Sequence, residues 1–145
     1  MLSRLLAPKT EAAYGLLRVV AGLTFSFHGF QKIFGVLSNL RPPAGTQLWF
    51  AGIIELACGL AIAAGVATSW AALLASGEMA VAYVQVHWRL QGGANFFPTI
   101  NKGELALVYA VVFLFVACRG AGPFSLDAAL VGRPAPAPPV PARAA

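Results

Sequence analysis

Two carboxylic acids lie inside apolar stretches of this 145-residue chain. Glu55 interrupts the segment WFAGIIELACGLAIAAGVA, Glu78 interrupts WAALLASGEMAVAYVQVHW, and Thr68-Ser69 join the two segments. A helix of about 19 residues rises roughly 28 Å, close to the hydrocarbon thickness of a bilayer. A carboxylate isolated in lipid costs at least ~2.5 kcal/mol, so each acid needs a partner, a proton or a water-filled cavity. The stretch therefore predicts a transmembrane hairpin with polar chemistry inside it.

Basic side chains that can partner these acids fall on one face of the preceding segment, where Arg18 and Lys32 flank small residues and His28 lies at the edge. At about 1.5 Å per residue, Glu55, His28 and Lys32 share the outer half of the membrane, and Glu78 lies near the midplane. We expect Glu55 to pair with His28 and Lys32, and Arg18 to be the cation within reach of Glu78. The predicted buried polar cluster comprises Arg18, His28, Lys32, Glu55, Glu78 and Glu104, the last at the outer surface.

Such a cluster has two interpretations, and the sequence leaves both open. It is a structural ion network that fixes the register of the helices, or it marks a proton path, a quinone pocket or an ion route. A quinone exchanges protons as well as electrons, so its carbonyls need hydrogen-bond donors and a route to water. For a quinone site the candidates are His28 and Glu55 as proton-exchanging groups, with Trp49, and also Phe50 and Phe34, as aromatics that could flank the ring.

The composition indicates a membrane protein. Hydrophobic residues make up 59% of the chain and charged residues 10%, against about 25% charged in soluble domains. The net charge of +5 comes from Lys and Arg residues that are scattered singly from Arg4 to Arg143. Because they form no basic cluster, we predict a lipid bilayer and not nucleic acid as the partner.

The elements that position the polar cluster are four predicted spans, over about 11–35, 49–67, 70–88 and 102–118. They predict an all-α integral membrane four-helix bundle over residues 11–130. Residues 1–10 form a basic lead, and residues 131–145 a Pro/Ala-rich disordered tail. The distribution of Lys and Arg favours cytoplasmic termini. We thus expect a multi-pass protein of the cell inner membrane.

No metal site and no covalently bound cofactor are predicted. Cys58 and Cys118 stand alone, without CxxC or other metal-ligand spacing. His28 and His87 differ in predicted depth by about 8 Å, which fits a bis-histidine haem poorly. Regular helical spacing places His87 on the face of its segment roughly opposite Glu78. The chain has no Rossmann glycine run, P-loop or nucleophile elbow.

Five stretches in order resemble the DoxX family of small four-helix membrane proteins: FSFHGFQKIFG, FAGIIELACGLAIAAGVATSWAALL, SGEMAVAY, NKGELALVY and GAGPFSLD. The resemblance covers about Arg18 to Asp127. Lys102 stands where an NGGE-like pattern would have its second glycine. By motif match, the polar positions of the family fall on His28, Gly29, Lys32, Glu55, Gly59, Glu78, Gly103, Glu104, Ser125 and Asp127.

The resemblance implies a part in quinone-linked redox chemistry, since the family is associated with membrane-bound oxidoreductase systems, including a small subunit of a thiosulfate:quinone oxidoreductase. It predicts an accessory subunit of such a complex, with a protein partner, a quinone as possible cofactor and no redox cofactor of its own. Whether the chain itself is an enzyme stays open. The alternatives are a non-enzymatic membrane scaffold or anchor for a soluble redox partner, and a small transporter.

Overall fold

The computed structural model describes residues 2–36, 38 and 41–131, and within this part of the chain all regular structure is helical. The prediction of an all-α fold is confirmed. Apart from residue 131, the tail predicted over 131–145 lies outside the described residues. The helices are α1 (Leu2–Leu6), α2 (Thr10–Phe34), α3 (Gln47–Ala64), α4 (Thr68–Ala82), α5 (Pro98–Asn101), α6 (Glu104–Arg119) and α7 (Leu126–Val131). A π-helix over Tyr83–Trp88 continues α4, and 3-10 turns cover Ala7–Lys9 and Gly93–Phe96.

Helices α2 and α3 pack against each other through glycine. A Cβ added at Gly22 would lie 2.6 Å from the Gly59 oxygen, and one at Gly29 would lie 2.4 Å from the Leu56 nitrogen. Gly52 and Gly59 on α3 face α2 in the same way, with no room for a Cβ. Because small residues let membrane helices approach to backbone contact, these four positions fix the register of the pair.

A three-residue turn at Gly65, Val66 and Ala67 separates α3 from α4. Gly65 adopts a left-handed conformation with φ of 75°, and its N–H donates to the Ala61 oxygen at 2.8 Å, as at many helix C-termini. The sequence placed the turn at Thr68-Ser69, but both residues belong to the first turn of α4. Gly65 ends the helix earlier than the apolar pattern indicated.

Helices α4 and α6 form the second close pair, and aromatic rings join α6 to α2. Ala72 and Ala75 are fully buried, and the Ser76 hydroxyl donates to the Ala110 oxygen at 2.7 Å. Phe25 of α2 meets the Phe113 ring with centroids 4.8 Å apart. The four long helices therefore enclose one core.

Two predicted helix starts differ from the structure. Residues 2–9 are already helical, so Lys9 and not Thr10 precedes α2. Asn101 lies three residues before Glu104, a spacing typical of a capping box, but Gly103 precedes α6, and the Asn101 side-chain oxygen accepts from the Gly103 N–H at 2.8 Å. The short helix α5 takes up Asn101 and moves it out of the capping position.

Within the described residues, α3 alone passes a test of length and apolarity for a membrane span. Helix α2 has 25 residues but carries Glu11, Arg18 and Lys32, while α4 and α6 have 15 and 16 residues. With its π-helical continuation, α4 extends to Trp88. Four membrane spans therefore stay a prediction.

Candidate functional site

At the end of the bundle that holds the α3–α4 turn, polar side chains bind backbone. Arg18 is 1% exposed, and its guanidinium donates to the Ile62 oxygen, to the Ala63 oxygen at 3.0 Å and to the Phe124 oxygen at 2.5 Å. The first two carbonyls end α3, where the helix dipole favours a cation. Only its Nε lacks a partner among the described residues. Arg18 thus ties α2 to the α3 terminus and forms no ion pair with Glu78, contrary to the sequence prediction.

Asp127 caps the start of α4 from the other side of the turn. Its carboxylate accepts from the Ala67 N–H at 3.0 Å and from the Thr68 N–H and hydroxyl at 3.2 Å each. The hydrogen bonds from the Thr68 and Ala67 backbone hold the pKa of Asp127 below its usual value, with a smaller contribution from nearby Arg18. Ala67 has φ of 45°, a strained conformation for a residue with a Cβ, which these bonds stabilise.

Tyr14 adds a third link at this end, since its hydroxyl donates to the Gly120 oxygen. The Arg119 guanidinium lies 4.3 Å from the centre of the Tyr14 ring and pairs with Glu11. We use the name terminal clamp for Tyr14, Arg18, Phe124 and Asp127, which join α2 and the segment after α6 to each other, to the end of α3 and to the start of α4.

The opposite end of the bundle contains a cavity of about 820 Å³ between α2, α3, α4, the π-helix and α6. This volume lies within the range of about 300–1,000 Å³ that small-molecule sites occupy. Its wall is mostly apolar and includes Ile54, Leu74, Met79 and Leu105. The ionisable residues in the wall are His28, Lys32, Glu55, Glu78, His87, Lys102 and Tyr109.

Lys32 and Glu55 form an ion pair in this wall, with Nζ and Oε1 2.5 Å apart. Their side chains are 14% and 3% exposed. The other Glu55 oxygen, Oε2, is buried and has no hydrogen-bond partner in the described part of the chain. The pair therefore leaves one carboxylate oxygen open.

Glu78 lines the same cavity without any partner of its own. Both carboxyl oxygens are buried, and neither meets a donor among the described residues. Glu55 and Lys32 lie close enough to Glu78 to act on it electrostatically. Because an unpaired buried carboxylate costs several kcal/mol, Glu78 is the least satisfied group in the bundle.

The glycines of the α2–α3 pair bring the ion pair together. A Cβ at Gly52 would lie 2.7 Å from the Cβ of Lys32, so only glycine lets the lysine stem pass along α3 to Glu55. Gly29 provides the matching approach one turn earlier on α2. The small-residue faces predicted from the sequence are thus what positions Lys32 against Glu55.

Three of the ionisable residues in the cavity wall were not predicted as part of the site: His87, Tyr109 and Lys102. Helical periodicity placed His87 opposite Glu78, but the wider turn of the π-helix brings it to the same cavity. Its Nδ1 lies 3.2 Å from the Asn101 oxygen. No sequence signal marks a π-helix, so this residue could not be found in advance. Tyr109 lies in the apolar run of α6, and nothing in the sequence distinguishes it from residues that only pack.

Two predicted site residues lie elsewhere. Trp49 packs edge-on against Phe50, with centroids 5.1 Å apart, and among the described residues it is Phe50 that lines the cavity. Glu104 is exposed at the start of α6 and is absent from the cavity wall as described. The structure brings together His28, Lys32, Glu55 and Glu78, and separates Arg18, Trp49 and Glu104 from them.

The arrangement can hold a flat apolar group and exchange hydrogen bonds with its edges. The Gln47 amide donates to the Gln85 oxygen at 2.7 Å and joins the start of α3 to the π-helix beside the cavity. Gly77 leaves open space on the α4 wall, where an added Cβ would meet no described atom within 4 Å. The cavity wall is thus mostly apolar, and its two acids come from the neighbouring helices α3 and α4.

The DoxX family model matches residues 13–88, the part of the chain from α2 through the π-helix. An "Uncharacterized protein" of Haemophilus influenzae is 36% identical over 115 residues, which cover 77% of this chain and 85% of that relative. No solved structure matches the chain. The matched region supplies Lys32, Glu55 and Glu78, and the chain belongs to the DoxX family of membrane proteins.

Proposed function

We propose that this chain is an accessory subunit of a membrane-associated oxidoreductase system, and that its cavity binds the ring of a quinone. The cavity carries the proposal, because it combines a mostly apolar wall with Lys32, Glu55 and Glu78. A quinone ring needs such apolar walls, and its oxygens need polar partners in a place that water can reach. His28 and Tyr109, whose ring centroids are 6.4 Å apart, add two further polar groups at the wall.

The proposed topology has four spans in the cell inner membrane and both termini in the cytoplasm. Arg4, Lys9 and Arg119 lie at the end that carries the terminal clamp, and the positive-inside rule favours the cytoplasm for that end. The cavity then opens toward the extracytoplasmic half, where the quinone head group meets the membrane surface.

Electrons would come from a protein partner, because the sequence offers no motif for a resident redox cofactor. The chain's own residues would bind and orient the ring and exchange its protons. Stoichiometric recovery of one partner after crosslinking in the membrane supports this role. Partner recovery without quinone binding would favour a scaffold, and flux in proteoliposomes that depends on Glu78 would favour a transporter.

The test is titration of the purified chain with a short-chain quinone analogue. Saturable binding is expected, and His28→Ala should weaken it about tenfold, which corresponds to about 1.4 kcal/mol. Gly77→Leu should remove binding without touching a charge, because the new side chain fills the open space on the α4 wall. Ala80→Leu, on the exposed face of the same helix, is the matched control and should bind normally. Absence of saturable binding to the unaltered chain would end the quinone proposal.

A further inference from the structure

The cavity wall contains buried hydrogen-bond acceptors that meet no donor among the described residues. Three buried oxygens in its wall lack a donor among the described residues: Glu55 Oε2, Glu78 Oε1 and Glu78 Oε2. Glu55 is 3% exposed, so bulk water does not reach it freely. What enters the cavity therefore meets acceptors that need donors.

The protonation of Glu78 does not remove this imbalance. A proton on Glu78 turns one of its oxygens into a donor, while its other oxygen and Glu55 Oε2 still only accept. Tyr109 already donates its hydroxyl to the Thr24 hydroxyl oxygen at 2.8 Å. The Lys32 ammonium donates one of its three N–H groups to Glu55 Oε1; its other N–H groups and the His28 ring can serve an acceptor of the ligand, but they do not meet the three open oxygens. In either state of Glu78, open acceptors remain in the wall.

From this inventory we infer that the cavity selects the reduced, hydroxyl-bearing form of its ring ligand, a hydroquinone, and that Glu78 accepts a hydrogen bond from one hydroxyl. A quinone brings two carbonyl acceptors and no donor, so it leaves the Glu78 and Glu55 oxygens unpaired. A hydroquinone brings two O–H donors on the same ring. The inference rests on the proposed function and concerns binding alone.

The experiment compares two ligands of the same shape, duroquinone and durohydroquinone, by calorimetric titration of the full chain in detergent without oxygen. The hydroquinone should bind at least tenfold more tightly. The dimethyl ether of durohydroquinone, which has no O–H, should bind no better than the quinone. Equal affinity for quinone and hydroquinone would overturn the inference and leave the proposed function intact, whereas absence of binding by both would overturn the proposed function.

Glu78→Gln separates hydrogen bonding from packing, because glutamine keeps the shape and puts an N–H donor in place of one oxygen. The preference for the hydroquinone should fall to about threefold or less, and the quinone should bind as well as before or better. Glu104→Gln removes an exposed acid away from the cavity and should keep the full preference.

Two controls complete the design. Thermal unfolding of Glu78→Gln should match the unaltered chain, since the Glu78 oxygens have no partner to lose among the described residues. If the variant unfolds early, the ligand comparison on the unaltered chain still decides the inference. A benzylammonium ion that binds more tightly than durohydroquinone would also overturn it, because the donor would then be a cation and not a hydroxyl.

Discussion

The two ends of the bundle treat buried charge in opposite ways. At the terminal clamp, Arg18 and Asp127 bind backbone groups of the hairpin turn, and only the Arg18 Nε is without a partner in the described residues. At the cavity, one Glu55 oxygen and both Glu78 oxygens have no hydrogen-bond partner among the described residues. The first end resembles a helix cap and the second an unfilled binding site.

The contrast separates charges that stabilise the fold from charges that are available to a ligand. A buried ion that saturates carbonyls lowers the free energy of the folded state, because its removal leaves those groups unpaired. A buried acid without partners raises the free energy of the folded state. A protein retains such an acid where the acid has another role, such as binding a ligand. We therefore expect substitutions at the clamp to change stability, and substitutions of the cavity acids to change binding.

The largest effect should come from Arg18→Met. The substitution leaves the Ala63 and Phe124 oxygens without their donor, at about 1–3 kcal/mol for each group that stays buried, while the Ile62 oxygen keeps its hydrogen bond from the Gly65 N–H at 3.2 Å. The free energy of unfolding should fall by about 4 kcal/mol in detergent, measured by thermal or denaturant unfolding.

Arg18→Lys serves as control for this prediction. Lysine retains the charge but cannot bond all these carbonyls at once. The free energy of unfolding of Arg18→Lys should therefore lie between those of the unaltered chain and Arg18→Met. Quinone binding per folded molecule should stay unchanged in both variants. Normal stability with lost binding would move Arg18 from the clamp to the site and remove the contrast between the ends.

The Lys32–Glu55 pair should give the next largest effect. Glu55→Met alone leaves the Lys32 ammonium largely buried and unpaired, which should cost about 3 kcal/mol of unfolding free energy. Because a buried ion pair can be replaced by apolar residues at little cost, the double variant Lys32→Met with Glu55→Met should recover most of that loss. Neither the single nor the double variant should bind the short-chain quinone analogue, as measured by titration.

This comparison distinguishes the two interpretations that the sequence left open. A double variant that is stable but does not bind places the function of the pair in the cavity. A double variant that unfolds as easily as Glu55→Met would make the pair a structural network.

The helical fold could be predicted from local patterns, because apolar length and glycine spacing act within one segment. Gly22, Gly29, Gly52 and Gly59 predicted the faces of α2 and α3 that meet, since close approach depends on side-chain size alone. The proximity of Lys32 to Glu55 followed from counting helical rise, and the structure has an ion pair there.

Other features depended on contacts between distant segments. Arg18 was assigned to Glu78 because both carry charge, whereas three backbone carbonyls are its partners. His87 was assigned to the wrong face because the π-helix changes the periodicity after Tyr83. Of the three aromatics that could flank a ring, Trp49, Phe50 and Phe34, the cavity wall as described contains Phe50 alone. The role of the cluster as a site stays a prediction.

The smallest effect, and the one with a defined pH dependence, is expected at Asp127. Asp127→Ala removes the cap of α4 and should lower the free energy of unfolding by about 1 kcal/mol near neutral pH. The folded pKa lies below the unfolded value of about 3.9, so the ionised carboxylate stabilises the fold at higher pH. This contribution should be complete above about pH 5 and should be lost as the pH falls through the folded pKa.

Thermal unfolding of both proteins from pH 6 down to pH 3 measures this contribution. The gap between the two melting curves should narrow as the pH falls below the unfolded pKa of about 3.9, because the unfolded chain then binds a proton more readily than the folded chain does. Glu104→Gln, which removes an exposed acid outside the terminal clamp, should show no such narrowing. A gap between the curves that stays constant down to pH 3 would mean that Asp127 contributes through packing or a neutral hydrogen bond, and the clamp would then owe its stability at this residue to something other than charge.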